Sequence, residues 1–400
     1  MADYDRPEAA ERAGVSAEQL SRLVELRIVK PGEGDRFAAG DVRRAELVQS
    51  LEGAGISLEG LAAAIEQGTL GLDFLDSPVY ERFSALSKVT FRQLSDRTGV
   101  PIALLTLIRE AAGSAVPDPD DRVREEEMAV AAFVEAQVKA GFRPTAIEGL
   151  LRVQGESLRR MAETEADWWQ SEVMEPALAA GKDAQEISAT EFSVEMSGLA
   201  ERSLTAIYHA QQAHAWTGNI ITGFEVLMAR AGLHSRLERP PAVCFLDITG
   251  YTRLTQERGD AAAAELAGNL ARVVERTSVR HGGKPIKWLG DGVMFVFREA
   301  GPGVVAALEM ADGVAAAGLP PSHVGLHAGP VIFQGGDYYG QTVNVASRIA
   351  EYARPGEVLV SQAVVEASTG TEVEFREIGP VELKGVAGAT QLHAAQRAAG

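Results

Sequence analysis

The feature that most constrains this chain is a change of texture at Pro240-Pro241. Upstream, apolar residues recur with helical spacing, while downstream short apolar runs alternate with helical patterns. Two consecutive prolines cannot continue a helix, because each ring removes an N–H donor and crowds the preceding turn. The helical pattern that ends near Arg236 therefore stops at LERPPA, and a domain boundary is expected there. The chain has 400 residues, too many for one ordinary core, so two or three domains are expected.

The upstream part reads as a degenerate duplication. PEAAERAGVSAEQLSRLVELRIV gives a helix, a turn at Gly14 and a second helix; after the break PGEGDRF, AAGDVRRAELVQSLEGAGISLEGLAAAI gives two more. FRQLSDRTGVPIALLTLIREAAG and REEEMAVAAFVEAQVKAGFRPTAIEGLLRV repeat that order. The landmarks Gly14-Val15 and Ala54-Gly55 lie 40 residues apart, and Gly99-Val100 and Ala140-Gly141 lie 41 apart. In shape each copy resembles the winged helix-turn-helix domain of MerR-type regulators, which sets modules at 1–75 and 76–160.

DNA binding is disfavoured even so. AEQLSRLVELR and PIALLTLIRE are thin in the Arg and Lys that a phosphate contact needs. The whole chain carries a net charge of −18, from 38 basic against 56 acidic residues, which argues against broad nucleic-acid binding. A helical regulatory or dimerisation module is the reading, followed by a helical connector over 161–238. That connector contains Trp168-Trp169, read as core aromatics, and His209 and His214, which can titrate near neutral pH.

Downstream, AVCFLDI is a strand, GYTRLTQERGDAAAAELAGNLARVVERTSVRHGG a helix or helix pair, and KPIKWLGDGVMFVF a hairpin. GPGVVAALEMADGVAAAG is a helix, and SHVGLHAGPVIFQG reads as strand, turn and strand. DYYGQTVNVASRI opens a helix, GEVLVS is a strand, VVEAS a short helix, and VEFREIGPVELKG two terminal strands. The order points to an α+β sandwich, with helices on an antiparallel-rich sheet.

Three stretches carry the chemistry. Asp247 closes the strand AVCFLDI and Asp291 sits at the hairpin tip; either alone is an ordinary turn aspartate. Together they end core strands that can bring two carboxylates close, and hard oxygen ligands favour Mg²⁺ or Mn²⁺. Thr249 and Gly250 then enter a helix, whose unpaired N–H groups make a natural phosphate seat. Carboxylates beside an anion seat point to a nucleoside triphosphate with two metal ions about 3.5–4 Å apart. In DYYGQTVNVASRI, Asp337 precedes a helix on which Asn344 and Arg348, four residues apart, share a face.

FLDITGYT, KWLGDGVMFVF and DYYGQTVNVASRI, in that order, resemble the catalytic domain of class III adenylyl cyclases over residues 239–400. The resemblance implies a ferredoxin-like α/β sandwich joined to an all-helical N-terminal regulatory region. It assigns Asp247, Asp291 and the Ile248 carbonyl to the metals, and Lys287 and Asp337 to adenine. Asn344 would orient the ribose and Arg348 would stabilise the transition-state phosphate. Lys384, in VELKGVAG, stands near the place of a triphosphate-binding lysine. A family site lies between two chains, with the metal aspartates from one and the remaining residues from the other, so a homodimer acting on ATP is implied.

The upstream half resembles the helical regulatory region of soluble actinobacterial cyclases, controlled by pH, a small molecule or a lipid through the helix at about 200–236. A transcription regulator with a nucleotide-sensing cyclase-like domain is the alternative, and the full polar set argues against it. A diguanylate cyclase would need a GG[DE]EF-type hairpin, which WLGDGVMF is not. His281, His323 and His327 lack ligand spacing and read as structural. The single cysteine, Cys244, reads as a buried core residue, and no disulfide is possible within one chain. MADYDRPEAAERAG lacks signal-peptide shape and no stretch reaches roughly 18 apolar residues, so a cytoplasmic chain with no transmembrane segment is expected.

Overall fold

The computed structural model describes residues 3–76, 80, 86–182, 191–233, 240–251, 256–257, 259–289, 292–368 and 372–398. Contacts divide the chain into two compact units, Met1–Thr222 and Gly223–Gly400.

The first unit holds two runs of elements in the same order, one over each stretch read as a copy. One runs β1 (Asp3–Tyr4), α1 (Arg6–Ala13), α2 (Ala17–Glu25), β2 (Phe37–Ala38), α3 (Ala39–Gly53) and α4 (Leu58–Glu66). The other runs β3 (Leu86–Thr90), α5 (Phe91–Thr98), α6 (Ile102–Ala111), β4 (Arg122–Arg124), α7 (Glu125–Lys139) and α8 (Pro144–Trp169). A single π-helical turn, Gln170–Met174, leads to α9 (Glu175–Ala179), and α10 (Glu191–Arg230) is a 40-residue helix.

The copies agree in local chemistry. Helices α1 and α5 each have 8 residues and end on a left-handed glycine, Gly14 at φ 69° and Gly99 at φ 72°. That conformation is open to glycine without the Cβ clash of other residues, so each helix stops there. Helices α3 and α7 each have 15 residues and start from a strand. In both, the acid at the third helical position reaches back to cap the entering backbone. Asp41 Oδ2 accepts from Ala38 N at 2.8 Å and Glu127 Oε2 accepts from Arg124 N at 2.7 Å. Each capping acid is charge-paired, Asp41 by Arg44 at 2.9 Å and Glu127 by Arg109 at 2.8 Å. The cores are separate, one around Leu20, Phe37 and Val48, the other around Phe91, Leu105 and Ile147.

The expectation of an all-helical N-terminal region is corrected by the strands. β1 pairs antiparallel with β2, and β3 with β4, in two small ribbons. Segments of two to five residues are too short to show alternation, so the period-2 signal is absent from the sequence.

The second unit is built on a seven-stranded sheet of order β12-β13-β11-β8-β5-β7-β6. The strands are β5 (Ala242–Ile248), β6 (Gly283–Leu289), β7 (Gly292–Phe297), β8 (Ser322–Ala328), β11 (Val358–Ser361), β12 (Val373–Glu382) and β13 (Ala389–Arg397). The pair β8–β11 is parallel and the other neighbours are antiparallel. A separate ribbon joins β9 (Ile332–Gln334) to β10 (Asp337–Tyr339).

Alternation along β5 sorts the helices. Ala242, Cys244, Leu246 and Ile248 pack with α11 (Asp260–Arg280), α12 (Ala300–Ala316) and α14 (Gln362–Ala367) through Leu270, Val304, Met310 and Val364. Cys244 is fully buried there, and burial pushes its thiol pKa up. The opposite face carries Val243, Met294 and Val296 against Ala346 of α13 (Gln341–Tyr352). Asp247, odd-numbered on β5, therefore stands on the face that α13 covers.

One reading of the C-terminus is corrected. VEFREIGPVE is a single strand, β12, with a register shift between Glu377 and Gly379, and the last strand is ATQLHAAQR. Gly379 and Pro380 look like a break, but β12 is an edge strand, where a bulge and a proline are tolerated.

Candidate functional site

Asp247 is the penultimate residue of β5, directly opposite Gly292 of β7 in the antiparallel register. A Cβ on Gly292 would stand 2.9 Å from Asp247 Oδ1, so the missing side chain lets the carboxylate lie against the hairpin backbone. Asp291, next to Gly292, lies outside the described residues, as does Gly290. Ile248 ends the strand with its side chain in the core. Thr249 Oγ1 is buried beside it with no hydrogen-bond partner. The donors here are hard oxygens, a carboxylate and a backbone carbonyl, and they fit a small divalent cation. Among the described residues, no three His, Cys, Asp or Glu side chains form a complete metal cluster.

The anion seat expected at Thr249 and Gly250 is corrected in one respect. Thr249 N donates to Pro321 O at 3.0 Å, so that amide is not free for a phosphate. Gly250 is exposed with φ 76°, the left-handed turn that leads the chain away from the strand. Residues 252–255, where the entering helix was read, lie outside the described residues.

Lys287 and Asp337 meet although 50 residues separate them. Lys287 Nζ donates to Asp337 Oδ2 at 2.5 Å, from β6 to the first residue of β10. Asp337 Oδ1 also accepts from Tyr338 N at 2.7 Å, which sets the carboxylate plane. The turn before it uses Gly335 at φ 60° and Gly336 at φ 79°. Asp337 is thus the start of a short strand directly after a glycine turn.

Helix α13 presents Asn344 and Arg348 on its outer side, while Val345, Ala346, Ile349 and Ala350 are buried. Four-residue spacing puts the amide and the guanidinium on one face. Arg348 Nη1 donates to both oxygens of Glu351, at 2.5 and 2.6 Å, and that carboxylate raises the arginine's pKa.

Family models match this chain in two places: the adenylate cyclase regulatory domain over residues 33–194, and the adenylate and guanylate cyclase catalytic domain over residues 321–395. A pH-sensitive adenylate cyclase of Mycobacterium tuberculosis is 28% identical over 383 residues, 92% of this chain and 91% of that one. An adenylate cyclase of Streptomyces coelicolor is 28% identical over 281 residues, 68% of this chain and 70% of that one. This chain carries a class III cyclase catalytic domain and has adenylate cyclase homologues. Among solved structures, the adenylyl cyclase CyaB from P. aeruginosa aligns at 21% identity over 40% of this chain and 95% of that chain, with a TM-score of 0.36.

Within the cyclase domain, Lys384 stands apart. It is exposed in the turn after β12, at the opposite edge of the sheet from β6 and Lys287. His281 and His327 have structural partners, Glu309 Oε2 at 2.9 Å and Ser361 Oγ at 2.7 Å. His323 has a structural partner too, its Nδ1 2.8 Å from Ala350 O, and it is also a neighbour of a candidate site residue. It lies directly opposite Asp247 across β5 and β8, with Nε2 3.4 Å from Asp247 Oδ2. The sequence signal for it is weak, since it emerges only when AVCFLDI and SHVGLHA are laid antiparallel in this register. No helix among the described residues is long and apolar enough to cross a membrane.

Proposed function

We propose that this chain is an adenylate cyclase, converting ATP to 3′,5′-cyclic AMP and pyrophosphate at sites shared between two copies of itself, under control of its N-terminal unit. The observation that carries the reading is the Lys287–Asp337 pair. Adenine offers an acceptor at N1 and a donor at its 6-amino group, which an ammonium and a carboxylate match. Guanine reverses both edges and would leave Lys287 and Asp337 facing the wrong partners, at a cost of about 1–3 kcal/mol each.

In the reaction the ribose 3′-oxygen attacks the α-phosphorus as the bond to the β-phosphate oxygen breaks. Pyrophosphate leaves and the hydroxyl proton passes to solvent. Two divalent cations, Mg²⁺ or Mn²⁺, held by Asp247, Asp291 and the Ile248 carbonyl, would neutralise phosphate charge and acidify the hydroxyl. Asn344 holds the ribose by its amide. Arg348 exchanges Glu351 for the phosphate, where a fixed guanidinium matches the charge that grows in the transition state. Lys384 belongs to the triphosphate only if the partner chain brings the β12–β13 turn to the site.

The test is turnover of ATP against GTP by the full chain with Mg²⁺ or Mn²⁺. Cyclic AMP is expected from ATP, and none above background from Asp291→Ala. Asp337→Ala should lower kcat/KM for ATP by about 10- to 100-fold and leave GTP turnover where it was. A wild-type chain that makes no cyclic AMP with either metal refutes the proposal.

A further inference from the structure

The ribbon that carries Asp337 sorts its side chains by face. Tyr338 packs against the apolar cluster around Met294 and Ala346. Its cross-strand partner Phe333 stands against it, with ring centroids 4.9 Å apart. Successive strand residues point to opposite faces, so Asp337 leaves the ribbon on the other side, where Lys287 Nζ meets it at 2.5 Å. Directly opposite Asp337 in the register is Gln334, the last residue of β9. Residues paired in this way share a face, with Cβ atoms about 4.5–5.5 Å apart.

The turn fixes this pairing. Gly335 and Gly336 alone separate Gln334 from Asp337, and both have positive φ, at 60° and 79°. Such a two-residue turn holds the flanking strands in one register. Gln334 is exposed, so its amide stands at the surface beside the Lys287–Asp337 pair.

In the adenine reading, Lys287 takes N1 and Asp337 takes one hydrogen of the 6-amino group. The second amino hydrogen and the acceptor N7 lie on the adjoining edge of the base. A carboxamide offers one acceptor and one donor in a single plane, and glutamine pairs bidentately with adenine through the 6-amino group and N7. Guanine presents two acceptors on that edge, O6 and N7, and would set one of them against the amide oxygen.

We propose that Gln334 is a base-reading residue, whose amide nitrogen donates to adenine N7 and whose oxygen accepts the second 6-amino hydrogen. The inference rests on the adenine reading of Lys287 and Asp337 given above. All three side chains come from one chain, so the base is held on two edges by a single subunit.

The experiment compares ATP with 7-deaza-ATP, in which a C–H replaces N7, as substrates of the full chain. Wild-type kcat/KM should be about tenfold lower for 7-deaza-ATP than for ATP, as expected for one lost hydrogen bond that leaves a donor unpaired. Gln334→Met keeps the length of the side chain and removes both hydrogen-bonding atoms. It should melt as the wild type does, lose about tenfold in kcat/KM for ATP, and turn over the two substrates within about twofold of each other. A merely structural glutamine would leave the ratio between the substrates unmoved. If the wild type uses both substrates equally, or if Gln334→Met keeps the full preference for ATP, the assignment of Gln334 is wrong. Asp337→Ala is the control for the reading beneath it. If Asp337→Ala turns over ATP as the wild type does, the adenine reading fails and takes Gln334 with it.

Discussion

Arg348 and Glu351 lie one turn apart on α13, with side chains 38% and 56% exposed. A pair so open to water contributes under about 1 kcal/mol to stability. Its effect should therefore appear in substrate binding rather than in folding, because ATP must take the guanidinium from Glu351. Glu351→Gln is expected to lower the KM for ATP by about two- to threefold at constant kcat and melting temperature, read from ATP saturation curves. Single residues were legible where spacing along one element carries the information. Asn344 and Arg348 share a helical face by arithmetic alone. Asp337 was legible by its glycine turn, but its meeting with Lys287 depends on β6 and β10 arriving together. His323 was not legible, because its partner is set by strand register.

At the scale of elements, β8 joins the chemistry to the sheet. His327, on the same face as His323, is half-buried, and its desolvation lowers its pKa from the ordinary 6.5. A depressed folded-state value means that the unfolded chain takes up the proton first. The stability tied to neutral His327 is thus complete above pH 6.5 and is lost as the pH falls through the folded value. His327→Gln should flatten the fall of melting temperature between about pH 6.5 and 5, measured by thermal melts across that range. Of the elements, the long helices and the apolar strands β5, β7 and β8 were readable from periodicity. β13 was not, since ATQLHAAQR carries few β-branched residues and draws its strand character from pairing with β11 and β12. The break read at Gly379-Pro380 failed for the complementary reason: an edge strand accepts what a central one refuses.

At the scale of the whole molecule, the shared-site arrangement predicts complementation. Chains of Asp247→Asn and of Arg348→Ala should each be inactive alone. A mixed pair contains one site with both defects and one with neither. Mixing equal amounts, after subunit exchange, should restore about a quarter of wild-type turnover, since half the pairs are mixed and each has one intact site of two. Sites complete within one chain would give no recovery. The boundary read at Pro240-Pro241 marks where the sheet begins, whereas compactness divides the chain inside α10, between Thr222 and Gly223. A proline pair reports where a helix must stop, and contacts report where its packing changes.

The two copies in the first unit each keep their own core, their own glycine stop and their own capping acid. In evolutionary terms this is a spare part held in stock. Yet ion pairs such as Arg12–Glu125 and Arg124–Glu46 cross between the two, so a change made in one copy is felt at the border of the other.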